Sequence, residues 1–262
     1  MSLIDTHCHL YSEDFEADLK LVLDRAHRNG VEKIFLPAID SESHEKLISL
    51  SKKPIATSQS PIEIYPMMGL HPCSVKENFE EELKLVYEYL DSGEKFYAVG
   101  EIGLDYHWDL TFKDQQVTVF ERQIEWAIAR NLPIVIHSRK STYDCIASLR
   151  KFNGAAKGVF HCFSGSLEEA REITKLGFYL GIGGVVTYKN SSLNELLPRI
   201  GLEHIVLETD APYLPPVPHR GKRNEPSYTK LICEEIGRIM KMGYGDVANI
   251  TTQNALKVFQ LI

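Results

Sequence analysis

Residues 3–10 read LIDTHCHL, an apolar pair followed by Asp5, His7 and His9 at every second position. In a β-strand successive side chains point to opposite faces, so these three share one face if the segment is extended. Two imidazoles aimed at one point suit a transition-metal ion. Polar residues that merely close a strand would look the same. The choice depends on what other strand ends carry.

Seven further β-rich apolar stretches follow: VEKIFLPAI (31–39), IEIYPMMGL (62–70), KFYAVGEI (95–102), LPIVIHS (132–138), KGVFHCF (157–163), GFYLGIG (177–183) and HIVLETD (204–210). Helix-like segments alternate with them. Segment 16–30 carries an apolar stripe at Leu19, Val22, Leu23 and Ala26 and stops at Gly30. Segments 77–91 and 113–130 are amphipathic, and SLEEAREITKLG opens with Ser166 as an N-cap, Glu169 three residues on and Gly177 at its end. Eight strands, each followed by a helix, predict a parallel sheet. At 262 residues, close to the roughly 250 typical of the fold, they predict one TIM-type (β/α)8 barrel domain over 1–262. The rival is an open doubly wound sheet, but neither G-x-G-x-x-G nor a P-loop is present. The proline-rich PYLPPVPH (212–219) reads as an active-site loop, and the chain from about residue 226 as two extra C-terminal helices.

A formal charge of -7 argues against a broad basic face coating nucleic acid, though not against a local positive cleft. Five cysteines, an odd number without C-x-x-C, predict reduced thiols in a cytoplasmic protein. Cys8 and Cys162 each follow a candidate ligand histidine, and strand parity turns them toward the core. No leader peptide or membrane span is expected, and no obligate protein partner is evident.

On a barrel of this kind the active site lies at the C-terminal ends of the strands. His7 and His9 end the first predicted strand, His71 the third, Glu101 the fourth, His137 the fifth, His161 the sixth, and Glu208 and Asp210 the eighth. Ionisable residues at six strand ends predict a metal site. Four histidines with carboxylates exceed the three protein ligands of one catalytic zinc, which points to two divalent ions sharing a carboxylate. Glu101, midway round the barrel, is the bridging candidate. His7, His9 and Asp210 would complete one ion, and His137 and His161 the other.

The stretches DTHCHL (5–10), GLHP (69–72), GEIGLDY (100–106), IHSR (136–139), FHCFSG (160–165), LETDAPYL (207–214) and GKRNEP (221–226) resemble those of the TatD-related metal-dependent deoxyribonucleases of the amidohydrolase-like superfamily. They occur in that family's order over nearly the whole chain. The resemblance implies a TIM-like barrel with a divalent metal centre and phosphodiesterase activity on DNA. It also implies metal positions at His7, His9, Glu101, His137, His161 and Asp210.

Such an enzyme is expected to trim DNA from a strand end by two-metal activation of water. The cation would be zinc, magnesium, manganese or nickel. Asp210 is either a ligand alone or also the base that takes the water's proton. Glu208 either faces the site or orients a ligand. His71 contacts phosphate, protonates the leaving oxygen, or shapes the turn before Pro72. Arg139, Arg220, Lys222 and Arg223 are candidate phosphate contacts, the last three on a loop that otherwise reads as solvated. Tyr106, Trp108, Phe163 and Tyr213 are expected to stack a base or pack the rim. Asp105 would brace a ligand or its loop. Two other functions fit the fold: an amidohydrolase-type enzyme acting on a lactone, amide or nucleobase amine, and a barrel that binds without catalysis. Glu101 stands where such amidohydrolases often carry a modified lysine.

Overall fold

The computed structural model describes residues 2–52 and 61–262. Strands and helices alternate along it. β1 (Leu3–Asp5), β2 (Val31–Leu36) and β3 (Glu63–Pro66) form one parallel sheet. β4 (Val99–Asp105), β5 (Ile134–Arg139), β6 (Gly158–Phe160), β7 (Tyr179–Ile182) and β8 (Ile205–Leu207) form a second.

Backbone hydrogen bonds join the sheets at both edges. Tyr97 N–H donates to the Pro66 carbonyl and Gly100 N–H to that of Met68, both at 3.0 Å. At the other seam Thr6 N–H donates to Leu207 at 3.0 Å and His9 N–H to Ala211 at 2.8 Å. Neighbour relations therefore run round all eight strands in a TIM-like α/β fold.

The helices α1 (Leu19–Arg28), α2 (Ser41–Lys52), α3 (Phe79–Asp91), α4 (Lys113–Ala129), α5 (Thr142–Arg150), α6 (Leu167–Lys175) and α7 (Leu193–Ile200) follow successive strands. α8 (Thr229–Met240) and α9 (Tyr244–Val258) form the C-terminal tail. α1 buries Val22, Leu23 and Ala26 from its apolar stripe. α6 starts in a reciprocal cap: Ser166 Oγ accepts from Glu169 N–H at 3.1 Å, and Glu169 Oε2 accepts from Ser166 N–H at 2.7 Å.

Two apolar clusters result. The larger fills the space between strands and helices. The smaller takes Ile4, Phe35, Tyr65, Val135, Val159, Tyr179 and Val206 from strands all round the ring, and Ala255, Val258 and Phe259 at the end of α9. This inner cluster lies under the site. Side chains alternate, so Val135 is followed on its face by His137, Val159 by His161, and Val206 by Glu208.

Several strands are shorter or shifted from expectation. β1 ends before His7, β3 before His71, and β8 before Glu208. β4 begins and ends later than expected, so Glu101 lies within the strand and Asp105 closes it.

Candidate metal centre

Glu101 is the hub. It is nearly fully buried, and its two carboxylate oxygens serve different neighbours. Oε2 lies 3.1 Å from His7 Nε2 and 3.8 Å from His9 Nε2. Oε1 lies 2.7 Å from His161 Nε2, 2.9 Å from His137 Nδ1 and 3.2 Å from His71 Nε2. Asp210 approaches from the far seam, with Oδ1 3.5 Å from His9 Nε2 and 3.8 Å from His7 Nε2. Three overlapping groups have ligand spacing: His7 with His9 and Glu101, His7 with His161 and Asp210, and His71 with Glu101 and His137.

The loops after the strands turn these side chains together. Cys162 and Asp210 both take positive φ, 48° and 57°. His7 and His161 stack with ring centroids 3.9 Å apart.

Electrostatics follow from the crowding. Burial disfavours the Glu101 anion, but the imidazoles of His161, His71 and His7 and the His137 hydrogen bond outweigh it and hold its carboxyl well below the usual range. Burial lowers His7 and His71. At His137 and His161 burial is overcome by carboxylate partners, which raise both. Nitrogen and carboxylate oxygen converging at a buried point fit a divalent cation of the zinc, manganese or nickel type.

Three carboxylates stand behind the ring of candidate ligands. Asp105 Oδ2 lies 2.8 Å from His137 Nε2 and fixes that ring from the side opposite Glu101. Glu208 accepts from Cys162 N–H at 2.6 Å through Oε1, which also lies 3.7 Å from His161 Nδ1. It is fully buried beneath His161 and does not face the cavity. Asp5 accepts from Thr209 N–H at 2.9 Å and Thr209 Oγ at 2.6 Å, joining the first strand to the loop that carries Asp210.

His71 differs from its neighbours. Its Nδ1 accepts from Cys73 N–H at 3.0 Å. The ring proton of the neutral imidazole must therefore sit on Nε2, the atom facing Glu101. His71 offers the centre a proton where a ligand would offer a lone pair.

A cavity of about 900 Å³ opens above the centre. Arg139 lines it, with its guanidinium 5.0 Å from the Trp108 ring centre, and among the described residues no carboxylate pairs with it. Trp108 is 70% exposed and Tyr213 58%. Lys46, which sequence reasoning missed, lines the opposite wall from α2.

The 220–223 loop departs from expectation. Arg223 places Nη1 and Nη2 each 2.8 Å from an Asp18 oxygen and also bonds the Asp14 carbonyl. It is a brace, which corrects its reading as a phosphate contact. Arg220 lies over the Tyr188 ring at 3.9 Å, and Lys222 is exposed. None of the three lines the cavity. Tyr106 lies under Lys113 and Phe163 is buried, which matches the packing alternative of their sequence reading. Cys162, expected in the core, lines the cavity.

Asn224, quoted in GKRNEP without a role, is fully buried. Its Nδ2 donates to the carbonyls of Thr209 at 2.7 Å and Tyr213 at 2.6 Å, which straddle Asp210. Only the fold reveals those partners.

The profile of the family described as TatD related DNase matches residues 4–260. The chain belongs to the TatD family. Among its TatD relatives is the Bacillus subtilis protein named uncharacterized metal-dependent hydrolase YabD, 41% identical over 261 residues and covering 99% of both chains. The Escherichia coli metal-dependent hydrolase YjjV is 31% identical over 98% of both. The crystal structure of that TatD homologue superposes with a TM-score of 0.89 over 98% of both chains at 29% identity. A TatD family hydrolase from Entamoeba histolytica gives 0.83 over 98% of both at 25%. The TatD family is thus one of metal-dependent hydrolases, and the fold expectation holds across the described residues. Among those residues no helix is long and apolar enough to cross a membrane.

Proposed function

We propose that this protein cleaves phosphodiester bonds of DNA from a strand end, using two divalent ions. The observation that carries the reading is the division of Glu101, one oxygen to His7 and His9, the other to His137 and His161. His7, His9 and Asp210 with Glu101 would hold one ion; His137 and His161 with Glu101 would hold the other. When bound, such a pair lowers the pKa of water and neutralises the charge that develops on a phosphate in flight.

The chain's own groups do the rest. Asp210, at the cavity floor, accepts the proton of the attacking water. His71 Nε2–H donates a hydrogen bond to the departing oxygen and steadies its developing charge, and that oxygen takes its proton from solvent. Arg139 binds a non-bridging phosphate oxygen by charge-assisted hydrogen bonds. Trp108 and Tyr213 stack the bases that flank the scissile bond. Lys222 and Arg220 steer the rest of the backbone from outside the cavity. A recess of this volume suits a small-molecule-sized segment, so a chain end enters and a continuous duplex does not.

The test incubates protein loaded with zinc, magnesium, manganese or nickel with end-labelled single-stranded and duplex oligonucleotides. Stepwise loss of nucleotides from one end, abolished by chelation, is expected. Intact DNA with all four metals, alongside turnover of a lactone, amide or nucleobase amine, overturns the reading.

A further inference from the structure

The alternation that opens the chain runs one step further than its two histidines. Asp5, His7, His9 and Tyr11 occupy every second position. The Tyr11 hydroxyl lies 2.8 Å from His9 Nδ1 and 2.7 Å from the carbonyl oxygen of Pro37, just beyond β2. A carbonyl can only accept, and a phenol has one proton. Tyr11 therefore donates to Pro37, and its oxygen is left to accept from His9. That contact requires the proton of the neutral imidazole to sit on Nδ1. His9 Nε2, which faces Asp210 and Glu101, is left with a free lone pair.

We infer that Tyr11 is a positioning residue that locks His9 in the ligand tautomer. The Pro37–Tyr11–His9 chain does for this histidine what the Asp105 carboxylate does for His137. It uses a neutral oxygen where a second acid would add negative charge to a site already holding the Glu101 and Asp210 carboxylates. The Tyr11 ring also packs edge-on against His9, with centroids 5.7 Å apart, and limits its rotation. His71 is set the opposite way by Cys73 N–H. Two imidazoles that meet the same carboxylate are thus sorted by their outer hydrogen bonds into an acceptor and a donor.

The inference rests on His9 being a metal ligand, and the experiment separates the two statements. Chelator-stripped wild type, Tyr11→Phe and His9→Ala are titrated with Mn2+ by calorimetry. The ring nitrogens of the 15N-labelled stripped wild type and Tyr11→Phe proteins are read by long-range proton–nitrogen correlation. Expected are loss of one metal equivalent in His9→Ala and weakening of that equivalent by about 10–100-fold in Tyr11→Phe. The Tyr11→Phe spectrum should also show His9 shifting from the Nδ1–H form to a mixture, with His71 unchanged as the sign of an intact fold. If His9→Ala binds like wild type, His9 is no ligand and the inference falls with it. If His9→Ala loses metal while Tyr11→Phe keeps both its affinity and a single His9 tautomer, the ligand stands and Tyr11 has no positioning role.

Discussion

Gly181 and Glu208 are in such close approach that a Cβ on the glycine would come within 2.8 Å of the Glu208 Cδ and nearer still to Oε2. Glu208 is fully buried and tied to Cys162 N–H, so it has no room to yield. Gly181→Ala is therefore expected to displace Glu208 and loosen His161. Metal affinity should fall about 10–100-fold while the circular dichroism of the fold is kept. Calorimetric titration checks this, and an unchanged affinity removes Glu208 from the support of the centre.

Glu101→Gln keeps the shape of the hub and removes its charge. Activity is expected to drop by on the order of 10²–10³-fold, with loss of bound metal. The variant's melting temperature should no longer rise when metal is added, because only the native centre gains stability from the ion. Thermal scans with and without metal decide it.

Asn224→Ala leaves the Thr209 and Tyr213 carbonyls without their donor. Unsatisfied buried groups of this kind cost about 1–3 kcal/mol. Urea unfolding should show a loss of that size, accompanied by weaker metal binding because Asp210 lies between the two carbonyls. A stability change without any metal effect would confine Asn224 to the loop.

Arg223→Ala tests the brace through pH. The Arg223 hydrogen bonds hold the Asp18 carboxyl below its ordinary value of 3.8. A group lowered on folding adds stability above its unfolded value and loses it as pH falls through the folded one. The substitution should therefore lower the melting temperature at pH 7 and progressively less below pH 3.8. An equal loss at both ends of the scale would show that the ion pair is not its source.

Arg139→Ala addresses the substrate. Removing one phosphate contact is expected to flatten the slope of log K against log salt by about 0.7–0.9 for DNA binding. Arg223→Ala should leave that slope unchanged. A reversed outcome would move the phosphate contact from the cavity wall to the 220–223 loop.

The residue types at strand ends were legible in the sequence because their chemistry is specific. Histidine and acid after apolar runs, repeated round a barrel, have few other meanings. Depth was not legible. Strand parity puts Glu208 on the face of Asp210, but the chain leaves β8 at Leu207 and turns at Asp210, so one points beneath His161 and the other into the cavity. Partners distant in sequence were equally hidden. Arg223 reads as a free cation until Asp18, 205 positions earlier, is folded against it. The strand boundaries erred for a related reason: His7, His9, His161 and Asp210 reach the centre from beyond the ends of their strands, whereas Glu101 and His137 stay within β4 and β5.

The seam between first and last strands ties Asp5 to Thr209, 204 positions along the chain. A polypeptide interrupted before β8 holds His7 and His9 without the acid that faces them. During synthesis, then, the candidate centre can close only after β8 and the loop bearing Asp210 have left the ribosome.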